Sequence, residues 1–354
     1  MTRIAIDPKI LGAEEWLAPL GELVPVVGRD TQPRDVADCQ AMVIRSVTRV
    51  TPELLTDSRI KFVGTTTIGY DHIDRTYLAL RQITWTNAPG CNALAVADYV
   101  ESSLAHWSQQ NQRPVEGLTC GVIGVGGIGQ IVAQRLAALG GNVLLNDPPR
   151  FAAGKLADHC HLDELLQRCD VISVHVPLIT EGEHPTRHLL GASEFARLGA
   201  HQLLISAGRG AALDNRALSA RLDQPDAPQV VLDVWEDEPN ILPDLWPKAL
   251  LATPHIAGHA LEGKLRGTRI VARRLADHLG VPFQGPSVRE VAEKLLQKPP
   301  QTPDLDWRLQ AQQVYDVRQD DRRFREAMQG KTEQALREAF DGLRDHYPKR
   351  REIH

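Results

Sequence analysis

Runs of three or four mainly apolar residues punctuate the first part of the chain: Ile4-Ala5-Ile6-Asp7, Val24-Pro25-Val26-Val27, Ala41-Met42-Val43-Ile44, Phe62-Val63-Gly64 and Ile83-Thr84-Trp85. They show little polar alternation, as strands buried on both faces do, and helix-length mixed stretches separate them. That alternation predicts a parallel sheet covered on two sides. Asn87-Ala88-Pro89-Gly90 interrupts it, and a helix of small and apolar residues follows over 93–107. A second series then begins with the strand from Leu118 to Ile123. It continues through Val143-Leu144-Leu145-Asn146, Val171-Ile172-Ser173-Val174, Leu203-Leu204-Ile205, Val230-Val231-Leu232 and Leu250-Leu251-Ala252. Helical periodicity returns over 261–279, which predicts a helix leading back to the first domain. Beyond it, Lys298-Pro299-Pro300-Gln301-Thr302-Pro303 reads as a linker before helix-prone segments at 307–329 and 331–346.

Length and charge narrow the class. A chain of 354 residues is long enough for two or three domains with separate cores. A net charge of −5 argues against nucleic acid or an anionic membrane as the main partner. No apolar run is long enough for a membrane span or a signal peptide, so a cytoplasmic protein is expected. The five cysteines, Cys39, Cys91, Cys120, Cys160 and Cys169, form no CxxC pair and fit a reducing compartment. His159-Cys160-His161 beside Asp158 has the composition of a metal cluster, but adjacent side chains diverge and no second ligand pair follows, so no metal is expected. Lys349-Arg350-Arg351 reads as a solvated tail.

The strand before Gly124 runs into Gly124-Val125-Gly126-Gly127-Ile128-Gly129, and a helical pattern over 130–139 follows. Gly124 suits a tight turn, Gly126 the close approach of backbone to a pyrophosphate, and Gly129 close packing of helix on strand. The amides of Gly127 and Ile128 open the helix, where its dipole favours anions. Asp147 ends the next strand eighteen positions after Gly129, near the ~20 expected for an acid on an adenosine ribose. A carboxylate there favours NAD over NADP, although the nearby Arg150 leaves the choice open. These features predict a Rossmann-type, doubly wound parallel sheet. The expected organisation is α/β, with that domain at 95–259 inserted in a smaller α/β substrate domain at 1–94 and 260–284, and an α-rich or α+β extension at 285–354.

In such sheets ligands bind beyond the carboxyl ends of the strands. Arg209, Glu238 and His255 stand there. Histidine is the usual general base near neutral pH, a carboxylate on its second nitrogen would fix the tautomer, and an arginine fork would pair with a substrate carboxylate. Asp233 either orients a nicotinamide or caps the following turn. In the first domain, Arg45-Ser46 and Thr65-Thr66-Thr67 offer a guanidinium, hydroxyls and amides to a carboxylate or phosphate, or serve as turn caps.

The motifs GVIGVGGIG, ISAGRGAALDN, VVLDVWEDEP and TPHIAGHALEGK, in this order, resemble the D-isomer-specific 2-hydroxyacid dehydrogenase family over about residues 1–280. IRSVTRVT, KFVGTTTIGYDHID, NAPGCNALAVADYV, LLNDPPR and VYDVRQDD are similar to the branch acting on 4-phospho-D-erythronate, C-terminal extension included. The resemblance implies a flavodoxin-like first domain and NAD-dependent oxidation of a small phosphorylated hydroxyacid in pyridoxal 5′-phosphate biosynthesis. It places catalysis on Arg209, Glu238 and His255, substrate contacts on Ser46 and Thr67, and nucleotide contacts on Asp147, Val176, Asp233 and Gly258. His259 stands where the family usually has a substrate-contacting tyrosine. The extension, short for the family, is expected to form a homodimer. Oxidation of another acid such as 3-phosphoglycerate, and a non-catalytic NAD-sensing protein, are the alternative readings.

Overall fold

The computed structural model describes residues 2–296 and 306–352; the linker reading at 298–303 falls outside them. The chain forms two compact units, Met1–Asn92 with Ala260–Pro299, and Ala93–His259 with Pro300–His354.

The first unit carries strands β1 (Arg3–Ile6), β2 (Glu22–Pro25), β3 (Ala41–Ile44), β4 (Phe62–Thr65) and β5 (Thr84–Thr86). They form one parallel sheet in the order β2-β1-β3-β4-β5, the flavodoxin-like arrangement. Successive residues point to opposite faces. Ile4, Ile6, Val43 and Phe62 therefore pack with Trp16, Val271 and Leu275, while Ala5, Met42, Ile44 and Val63 pack with Leu55 and Leu78. The helix Leu261–Leu279 covers the first of these faces and ends at Gly280 in the left-handed region, φ 67°. It lies so close that a Cβ on Gly64 would stand 2.3 Å from Val271 Cγ1.

The second unit carries β6 (Thr119–Ile123), β7 (Asn142–Asn146), β8 (Val171–Val174), β9 (Leu203–Ser206), β10 (Gln229–Leu232) and β11 (Leu251–Ala252). They make a parallel six-stranded sheet in the order β11-β10-β9-β8-β6-β7. Val122, Val171, Ile205 and Val231 face a cluster with Tyr99, Leu104, Val132 and Leu136. Ile123, Ile172, Leu204 and Leu232 face another with Leu165, Phe195 and Trp235. Both faces are apolar, hence the unalternating sequence runs.

The extension after residue 284 is divided between the units. Val288–Leu295 packs against Leu261–Leu279 in the first, and Trp16 Nε1 donates to Pro286 O at 3.0 Å. Residues 306–352 belong to the second and, as described, are helical and irregular. Their Tyr315 and Val317 enter the cluster on one face of the sheet, and Phe324, Met328, Leu336 and Phe340 enter the other. The segment thus wraps the β11 edge. Asp321 Oδ1 accepts from Ala252 N at 2.8 Å and Arg325 Nη2 donates to Ala249 O at 2.7 Å, which satisfies backbone groups an edge strand would leave open.

The continuous helical stretch read at 307–329 is two helices, Trp307–Val314 and Val317–Met328. Ser102 Oγ donates to Tyr315 O and accepts from Val317 N, at 2.7 and 3.2 Å, drawing the break into the core. A tertiary contact thereby overrides a local helical preference. Among the described residues no helix is long and apolar enough to cross a membrane.

Candidate active site

β6 runs into Gly124, whose φ is 85°. A Cβ there would lie 2.8 Å from both His175 C and Val176 N, so the turn demands glycine on conformation and on space. The crowding marks the switch point: β7 lies on one side of β6 and β8 on the other, which opens a crevice at their carboxyl ends. Gly129 meets a second limit, since its Cβ would be 2.0 Å from Gly124 O. Gly126 is different, with nothing within 4 Å of its Cβ position. As N-cap of the helix Gly127–Ala138 it offers no side chain to the first-turn amides. An uncapped, glycine-lined helix N-terminus with open space at Gly126 fits a dinucleotide pyrophosphate.

Asp147 follows β7 and braces this turn. Its Oδ2 accepts from Val125 N at 2.8 Å and its Oδ1 from Arg150 N at 3.1 Å, so it also caps Pro148–Ala152. Exposed Phe151 stacks on His159, with centroids 5.0 Å apart. Across the crevice, Val176 is buried beside His175. The His175 Nε2 pairs with Ser173 Oγ at 2.8 Å, and burial pushes its imidazole down to about 4.

The chemical groups lie on neighbouring strand-end loops. Arg209 follows β9, and its Nη1 donates to Gly208 O at 3.0 Å. The next residue, Gly210, lies so near the loop after β10 that a Cβ would stand 1.9 Å from Trp235 C. Asn215 staples the two loops: its Nδ2 donates to Leu213 O and its Oδ1 accepts from Glu236 N, at 2.9 and 3.1 Å. In the second loop, Glu238 Oε2 accepts from Trp235 N at 3.3 Å while Oε1 contacts His255 Nδ1. Burial works to raise the Glu238 pKa, but the facing His255 and, more weakly, Arg344 outweigh it and hold the carboxyl below its ordinary range. This carboxylate therefore fixes Nδ1–H on the histidine and leaves Nε2 as the accepting nitrogen.

His255 has a left-handed backbone, φ 56°, which costs about 1–3 kcal/mol for a non-glycine residue and persists where neighbours over-determine it. Asp233 does so here. Its carbonyl accepts from His255 N at 2.7 Å, its Oδ1 from Ile256 N and Thr253 Oγ1, each at 2.7 Å, and its Oδ2 from Ala257 N at 3.0 Å. Tyr99 and Thr253 hydroxyls meet at 2.8 Å, extending the chain into the core. The Asp233 carboxylate thus caps the loop after β11, not the turn that follows it in sequence. Gly258 and His259 close the loop, with His259 N bonded to Ile256 O at 2.8 Å and its ring edge-on to Tyr347, 5.6 Å between centroids.

Arg45, Ser46 and Thr67 lie in the first unit, following β3 and β4, near that sheet's own switch point between β1 and β3. The sequence did not mark Asp7, at the end of β1, whose buried Oδ2 takes Arg45 Nε at 2.8 Å and so holds the guanidinium in place. Ser46 is exposed. Thr67 Oγ1 meets Thr65 Oγ1 at 2.8 Å and donates to Gly69 O at 2.9 Å, as a turn cap would.

His159 and His161 are edge-on at 5.5 Å and Cys160 Sγ faces His161 O, a loop arrangement. A trio that the sequence scattered, His188, Asp214 and Glu236, could chelate on spacing. Yet Asp214 caps Asn215–Arg221, and Glu236 already holds His188 Nε2 at 2.7 Å and Arg187 Nη2 at 3.4 Å. Lys349-Arg350-Arg351 is not simply a solvated tail, because the Arg350 guanidinium is buried and its Nη2 donates to Ala95 O and Ala257 O.

Residues 93–257 match the D-isomer specific 2-hydroxyacid dehydrogenase, NAD binding domain family, and 298–354 match a domain of unknown function, DUF3410. The chain is 45% identical to an erythronate-4-phosphate dehydrogenase of Marinobacter nauticus, covering 99% of this chain and 92% of that protein. It is 44% identical to one of Azotobacter vinelandii, covering 99% and 93%. Among solved structures it resembles a 2-hydroxyacid dehydrogenase of Ketogulonicigenium vulgare, with TM-score 0.67 and 25% identity over 81% of this chain and 99% of that one. An NAD+-bound 3-phosphoglycerate dehydrogenase of Entamoeba histolytica shares the fold at TM-score 0.69 and 19% identity, over 81% and 99%.

Proposed function

The chain belongs to the erythronate-4-phosphate dehydrogenase family of D-isomer specific 2-hydroxyacid dehydrogenases, and from that premise we propose that it oxidises 4-phospho-D-erythronate at C2. The product is (R)-3-hydroxy-2-oxo-4-phosphooxybutanoate, a step of pyridoxal 5′-phosphate biosynthesis. NAD, when bound, supplies the hydride acceptor. Gly124, Gly126, Gly127, Ile128 and Gly129 would hold its pyrophosphate, Asp147 its adenosine ribose, and Val176, Asp233 and Gly258 its nicotinamide half.

The observation that carries the reading is the Glu238–His255 contact at the strand ends of a unit with a dinucleotide turn. His255 Nε2 takes the C2 hydroxyl proton as the carbonyl forms. Glu238 keeps the ring oriented and favours the imidazolium. Arg209 pairs with the substrate carboxylate and draws charge toward the developing carbonyl. Substrate contacts are assigned to Arg45, Ser46, Thr67 and His259, and the protein is assigned to the cytoplasm. The test is to follow NADH formation by the purified chain on 4-phospho-D-erythronate and on 3-phosphoglycerate. A higher kcat/KM on the four-carbon acid is expected; turnover of simple hydroxyacids with none on 4-phospho-D-erythronate overturns the substrate assignment.

A further inference from the structure

Residues 306–352 do more than cover the sheet edge. Phe324 stacks on Trp235 in the glutamate loop, with centroids 5.7 Å apart and planes 13° from parallel. Arg344 lies near enough to Glu238 to lower its pKa. Tyr347 meets the ring of His259. The most specific contact is Arg350, whose Nη2 donates to Ala257 O at 2.6 Å and Ala95 O at 3.1 Å. Its guanidinium lies 4.0 Å from the centre of the Tyr315 ring, and Nη1 faces the fully buried Asp98 at 3.8 Å.

Ala257 is therefore held from two directions. Its N–H goes to Asp233 Oδ2, and its C=O goes to Arg350. It stands two residues after His255, whose left-handed backbone must be imposed by its surroundings. Ala95, the other acceptor, lies in the first turn of the helix Ala93–Gln110 that begins this unit. Anchoring a tail does not require a buried guanidinium, because Phe324, Met328, Leu336 and Phe340 already do that by apolar burial. Burying a charge is warranted where its hydrogen bonds fix a particular backbone geometry.

We infer that residues 306–352, within the segment matching the domain of unknown function, brace the catalytic loops, and that Arg350 is a positioning residue that fixes the His255 loop through the Ala257 carbonyl. This rests on the proposed activity only where turnover is read. The experiment uses the full chain with Arg350→Met and Arg350→Lys. Amide hydrogen exchange over 253–259 is measured without ligand, alongside kcat, KM and NADH affinity. In Arg350→Met, exchange over 253–259 should rise at least tenfold while β6 and β9 stay at the wild-type rate. Turnover should drop about tenfold or more, as for a displaced catalytic group, with NADH affinity within about twofold, and added guanidinium should restore part of it. Arg350→Lys, which keeps one charge but not the fork, should lie between, and it carries the test if the methionine variant does not fold. Unchanged exchange and turnover would overturn the inference, as would a rise in exchange spread evenly over the sheet. If the wild-type chain fails to oxidise 4-phospho-D-erythronate, the functional reading falls and the exchange result alone decides the brace.

Discussion

His175 stands at the end of β8 in the crevice, buried, with its imidazole held down to about 4 against an ordinary 6.5. The unfolded chain takes up a proton near 6.5 while the native chain stays neutral until about 4. Its contribution is thus fully present above 6.5 and is lost as pH falls through the interval between the two values. Urea unfolding at about pH 7.5 and about pH 5 should show the wild type losing about 2 kcal/mol more than His175→Asn over that step. Equal losses would show that the imidazole is protonated in the fold. Single residues also mark the limits of the sequence. Gly124 and Gly129 were legible because the requirement is stereochemical and local. The cap made by Asp233 and the support Asp7 gives Arg45 depend on residues 20 or more positions away, which no local pattern encodes.

At the scale of the element, the glycine-rich helix separates two roles that a motif merges. A methyl at Gly129 would collide with the Gly124 carbonyl, whereas one at Gly126 meets only open space. Gly129→Ala should therefore destabilise by about 1–3 kcal/mol, and Gly126→Ala should leave stability within about 0.5 kcal/mol of wild type while weakening NADH binding. Thermal unfolding and NADH titration of both variants check this; equal melting of the two would refute the packing account. The strands were readable because parallel strands covered on both faces are short and uniformly apolar. The split of the stretch at 307–329 was not, because its cause is a hydroxyl on a helix more than 200 residues earlier.

At the scale of the molecule, the two α/β units were foreseeable from strand alternation, and their strand orders agree with the flavodoxin-like and doubly wound readings. The fate of the extension was not foreseeable. Its helices are amphipathic with charged outer faces, and the pattern does not say which core receives Phe324 and Phe340. Sedimentation should show a dimer at micromolar concentration, and a monomer throughout that range would refute assembly through this extension. In the proposed mechanism the strand-end histidine removes the substrate proton beside the dinucleotide turn. The most direct measurement is kcat of His255→Gln on 4-phospho-D-erythronate together with its NADH affinity. A fall of about 10²–10⁴-fold in turnover with NADH binding retained is expected, and a variant that turns over at the wild-type rate would contradict the role of His255 as base.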